Sequence, residues 1–150
     1  MPFTGSTICT AFITSMGTAL INSGSDTFRL ALYDDTATLT QATTAYTTTG
    51  ELPTAGGYTM GGATTALTVS TAATANRTVV IWSFANVTWA AATFTVRGAL
   101  LYDDTAAGNP AIAVLDFGAN IVKAGTDFVV TFPPATANAG FIVFQVVLSQ

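Results

Sequence analysis

The sequence predicts a mainly β protein: an antiparallel β-sandwich or jelly-roll-like barrel with one N-terminal helix. Three observations predict it. About one residue in five is threonine, whose branched Cβ suits a pleated surface better than a helix. From residue 27 onward about eight apolar runs follow one another, separated by Gly, Pro, Asn and Asp turn signals. Only one stretch, near the start, has a helical period. At 150 residues and 15.3 kDa the chain reads as a single domain, 1–150, large enough to bury one substantial core.

The helical stretch is residues 7–22, "TICTAFITSMGTALIN". Ile8, Phe12, Met16 and Leu20 recur every four residues, with Cys9 and Ile13 on the same stripe. Ser6 or Thr7 is placed to cap the start and "NSGSD" to close the end, although β-branched Thr and Ile leave an extended arm as the other reading. The β-sandwich is expected over 27–150. "TFRLALYD" alternates Phe28, Leu30 and Leu32 against Arg29, Ala31 and Tyr33, as a half-buried strand does. "QATTAYTTTGELPTAGG" reads as a polar connection with one short strand around Tyr46. "YTMGGATTALTVS" is a strand interrupted by a bend at Gly61-Gly62. "RTVVIWSF", "ATFTVRGALLYD", "AIAVLDF", "DFVVTFP" and "GFIVFQVVLS" supply the remaining strands. Two of these, "VVIWSF" and "FIVFQVVL", are apolar on both sides, so both faces should be covered, by the helix or by a partner subunit.

Charge excludes several functions. Charged residues make up 8% of the chain, against roughly a quarter in an average soluble protein. The net charge is −4, and the four basic residues, Arg29, Arg77, Arg97 and Lys123, are scattered, so nucleic-acid binding is not expected. The longest apolar run covers half a membrane span, and the N-terminus lacks the basic start of a secretory signal; a protein made and kept without export is expected. Cys9 is the lone cysteine, so no internal disulfide can form, and the absence of histidine removes Ser-His-Asp and Cys-His catalysis and the commonest zinc ligand. No enzyme activity and no cofactor are expected. So few charges cannot solubilise a free surface in the usual way, which argues that other protein covers much of the exterior.

The candidate chemistry lies in a repeated motif. "RLALYDDTATL" begins at Arg29 and "RGALLYDDTAA" at Arg97. Each Tyr-Asp-Asp-Thr follows an apolar strand, where an Asp carboxylate accepts hydrogen bonds from backbone amides two residues on and closes a turn. On this reading Asp34, Asp35, Asp103 and Asp104 stay exposed and ionised. Two competing readings are a glycosidase pair made by Asp34 and Asp103, which needs carboxyls about 5–9 Å apart, and a cation held by Asp103, Asp104 and Asn109. Trp82 and Trp89 with Tyr33, Tyr58 and Tyr102 could line a sugar-binding face; burial in the core is the simpler expectation.

The blocks "FRLALYDD", "ATTAYTTTG", "GGYTMGG", "ATFTVRGALLYDD" and "AIAVLDFG" occur in an order that resembles small virion structural proteins of tailed bacteriophages, over about three-quarters of the chain. The resemblance implies a capsid decoration, or cement, protein. It would be made in the host bacterial cytoplasm, sit on the capsid surface and clamp neighbouring subunits of the major capsid protein. It would also associate with itself as a homo-oligomer, with no nucleic acid and no membrane among its partners. The alternatives are a tail, collar or fibre component of the same particle, or a carbohydrate-binding module. Phe141, Val143, Val147, Ile8 and Phe12 are the candidate interface residues, since apolar faces rather than salt bridges must carry the contacts.

Overall fold

A computed structural model of the chain describes residue 3 and residues 5–74, 77–136 and 140–147, with the side chains of 74, 146 and 147 outside that description. The elements run in the order β1 (Thr7–Ile8), α1 (Thr10–Gly17), β2 (Phe28–Tyr33), β3 (Ala63–Thr65), β4 (Leu67–Thr74), β5 (Arg77–Phe84), β6 (Val87–Asp103), β7 (Ala111–Val130) and β8 (Ile142–Val147). They form two antiparallel sheets, one of five strands in the order β1-β7-β6-β2-β3 and one of three in the order β4-β5-β8. The sheets pack face to face as a sandwich, as the sequence predicts. Phe28 of β2 meets Trp82 and Phe84 of β5 at ring-centroid distances of 6.4 and 5.6 Å. Among the described residues no helix is long and apolar enough to cross a membrane.

The helix is shorter than the expected 7–22. Ile8 belongs to a strand paired with Ala113, and Cys9 N–H donates to the Ile112 carbonyl, so the chain leaves the sheet only at Thr10. No side chain caps the first turn, and Gly17 and the left-handed Ala19 end the last. Phe12 is fully buried, edge-on to Trp82 at 5.5 Å, whereas Ile13, expected on the same stripe, is exposed. An eight-residue helix has room for one narrow buried stripe: Phe12 and Ser15 are buried, and the half-buried Met16 packs against the core beside them.

The two strands expected at "AIAVLDF" and "DFVVTFP" are one continuous strand, β7, which forms a long hairpin with β6. The register slips between Val96 and Gly98, where Phe117 to Asn120 bulge out around Gly118 at φ 80°, and again near Gly125 at φ 71°. The glycines that read as turn signals are therefore bulge residues.

β2 is buried on both faces rather than half-buried. Phe28, Leu30 and Leu32 point into the core between the sheets, while Ala31 and Tyr33 join Phe3, Cys9, Ala37, Leu39, Leu100, Tyr102, Ala111 and Val114 in a second core. The long connection between β2 and β3 covers that second face. Close approach requires Gly62, at φ 73°: a Cβ there would collide with the Leu30 carbonyl. The expected short strand around Tyr46 is a single bridge from Ala45 to Pro110.

Candidate interaction surface

The two Tyr-Asp-Asp turns have the same local geometry. Asp34 Oδ1 accepts from the Thr36 amide at 2.8 Å, and Asp103 Oδ1 accepts from the Thr105 amide at 2.8 Å and the Ala106 amide at 3.0 Å. Both are the turns that the sequence predicts. They lie at opposite ends of the β2–β6 pair. Phe28 stands opposite Asp103 and Tyr33 opposite Gly98, so Asp34 continues the register level with Arg97, six residues from Asp103. Six residues of strand span about 20 Å, too far for two carboxylates to flank one glycosidic bond. Exposure differs too. Asp103 is fully buried, against expectation, because it faces the core on the same side as Phe28; Asp104 stays near the surface, 3.6 Å from Arg29. Among the described residues no three acidic, cysteine or histidine side chains converge as a metal site would require, and Asn109 is a left-handed turn residue.

All four tyrosines gather instead around the chain's single glutamate, a cluster that sequence reasoning missed. Glu51 is buried and accepts from Tyr46 Oη at 2.5 Å, Tyr58 Oη at 2.6 Å and the Gly61 amide at 2.6 Å. Tyr58 Oη in turn accepts from the Leu32 amide at 3.0 Å. Tyr102 stacks on Tyr46 at 4.6 Å and donates to the Gly61 carbonyl, which also accepts from Arg29 Nε; Tyr33 donates to the Thr47 carbonyl. Burial, followed by the nearby Glu51 carboxylate, pushes Tyr33, Tyr46 and Tyr58 well above the usual phenol range. Tyr102 is pushed up to about 12, chiefly by burial. Phenols so hard to ionise serve as hydrogen-bond donors, and the knot pins the β2–β3 connection onto the sheet. Trp82 and Trp89 are buried as well, so these aromatics form no exposed sugar platform. Cys9 is buried, and loss of solvent raises its thiol to about 11.

The interface candidates divide. Ile8 and Phe141, both half-buried, line one open groove of about 270 Å³ with Ser6, Thr7, Val114 and Leu115, where the edges of the two sheets part. Ser6 and Leu115 also line a second groove of about 390 Å³ that reaches Phe128 to Thr131 of β7. Val143, 45% exposed, is the third candidate that solvent reaches; its Cα partner is the buried Ile81. Phe12 is corrected: fully enclosed beneath the helix, it offers no surface. The Val147 side chain lies outside the described residues. Of the two strands expected to have both faces covered, the β5 segment Ile81–Phe84 is buried throughout, but β8 is an edge strand that leaves Val143 and Gln145 to solvent.

A further exposed surface is one the sequence did not single out. Beyond Gly98 the β6–β7 hairpin runs past the end of β2 as a ribbon about 30 Å long. Its inner face carries Val87, Trp89, Val96, Phe128 and Val130 into the core. Its outer face is built from the cross-strand pairs Thr88–Val129, Thr93–Ala124 and Thr95–Val122, all exposed, with Val122 at 71%. None of these six residues is charged.

No family model, no curated protein and no solved structure matches the chain.

Proposed function

We propose that this chain is a structural protein of a bacteriophage particle, a decoration protein that binds the outer shell and holds neighbouring capsid subunits together. The observation that carries the reading is the exposed outer face of the β6–β7 ribbon: a surface built mainly of Thr and Val, with Asp127 as its one exposed carboxylate among the described residues, on a chain with very few charges to offer elsewhere. Such a face is poorly hydrated relative to Lys and Glu and gains by contact with protein, and the second core buries the other face of the sheet within the chain. The order of the sequence blocks, which resembles that of virion proteins, supports the same reading. The mechanism is binding energy alone. Contacts spread across a junction between capsid subunits must be lost before the shell can burst, so each copy raises the barrier to rupture. Particles assembled without the protein should rupture at lower temperature or milder osmotic shock than complete ones, and adding purified protein back should restore them. Equal survival would remove the cement role, and recovery of the protein with purified tails would assign it there instead.

A further inference from the structure

The Asp103 carboxylate has an oxygen that nothing in the turn explains. Its Oδ1 is satisfied by two backbone amides, but Oδ2 is fully buried and has no hydrogen-bond partner, alone in this among the described side chains. A buried carboxylate oxygen without a donor is costly, so the site calls for a proton or a cation. The neighbouring carboxylate that acts on Asp103, through hydrogen bonding and through its charge, is that of Asp26. It comes from the turn before β2, held against the Asp103 turn by Asp104 N–H to the Thr27 carbonyl and Thr27 N–H to Thr105 Oγ1, both at 2.8 Å. Asp26 is already an acceptor, from the Asn22 amide at 2.5 Å and Ser25 Oγ at 3.3 Å. Asp104, next in the chain, is paired with Arg29 at 3.6 Å.

We propose that Asp103 is held protonated in the folded protein and donates its Oδ2–H to the Asp26 carboxylate, a carboxyl–carboxylate clasp between the two turns that opens as pH rises. Two carboxylates supply too few oxygens for a cation cage, while one proton satisfies every atom. Burial first, and the Asp26 carboxylate in addition, raises the Asp103 pKa above the ordinary carboxylate value, which agrees with the geometry. The sign follows. A carboxyl whose folded pKa is raised adds stability in full below its unfolded pKa, near 3.8, and loses it as pH climbs through the folded value. The clasp therefore weakens as pH rises through the folded Asp103 value.

The test is the carbon-13 NMR titration of the Asp103 side-chain carboxyl in the full chain, alongside thermal melts of the native protein and Asp103→Asn. Asparagine keeps the Oδ1 acceptor and places an N–H donor toward Asp26. The Asp103 midpoint should lie above the usual carboxylate range and fall in Asp26→Asn. Asp103→Asn should melt about 3 °C or more above the native protein at pH 8, with the gain vanishing toward pH 4. A native midpoint at or below 3.8 would overturn the proposal, even if either variant failed to fold. So would stabilisation of the native protein, but not Asp103→Asn, by calcium at neutral pH, which would make the site a cation site.

Discussion

β6 and β7 run through two environments, and the boundary falls at the Arg97–Asp116 ion pair. On one side, from Arg97 to Asp103, every β6 residue is buried. On the other, from Val87 to Val96, burial largely alternates, with Val87, Trp89, Ala92 and Val96 inside and Thr88, Thr93 and Thr95 outside. The hydrogen-bonded ladder is common to both halves; the cover differs. The first half is roofed by the β2–β3 connection and by Phe3, whose ring also receives the Arg97 guanidinium at 5.5 Å. The second half has the core on one side and solvent on the other. One half is finished within a single chain, and the other presents a surface.

Substitutions at the roof and on the ribbon should separate the halves sharply. The largest effect is expected where the roof touches the sheet. Gly62→Ala forces a Cβ against the Leu30 carbonyl at a left-handed φ, and should cost about 4 kcal/mol or prevent folding, read by urea denaturation. Next comes the knot that pins the roof. Glu51→Ala strands two tyrosine hydroxyls and the Gly61 amide, and should cost about 3 kcal/mol with no change in the denaturant slope. A loss below about 0.5 kcal/mol would mean that the roof is held by apolar contacts alone. The smallest effect on stability is expected on the ribbon: Val122→Lys with Val129→Lys should shift folding by less than about 1 kcal/mol, because both side chains project into solvent. A large loss there would show that the outer face is part of the fold and not a surface kept for a partner.

The same division explains what the sequence could tell. The ribbon was legible as strand because "TFTV" carries its alternation locally, and the fold class followed from many such runs. The merging of two expected strands into β7 was hidden, since Gly118 and Gly125 look identical in sequence whether they close a turn or sit in a bulge. The roof was hidden for another reason. Its "QATTAYTTTGELPTAGG" is polar and Thr-rich like any surface loop, and its role depends on one glutamate meeting Tyr46, Tyr58 and Gly61, a convergence no periodicity encodes. A single Glu among four tyrosines was the available signal. The Asp pairs were read correctly as turns, but the burial of Asp103 depends on β2 lying opposite, which only the register reveals. Ile8 and Phe141, expected at an interface for their apolar side chains, line one groove; Phe12, expected there on the same ground, belongs to the core.

The central claim is that the Thr- and Val-rich ribbon face binds a repeating protein shell. Co-sedimentation of purified protein with empty phage heads, followed to saturation, tests it most directly, with the Val122→Lys, Val129→Lys variant run beside it. The account predicts saturation at hundreds of copies per head, in keeping with a lattice of equivalent positions, and loss of most binding in the variant while its melting curve stays close to that of the native protein. No binding to heads, a plateau of about a dozen copies, or equal binding by the variant would contradict it.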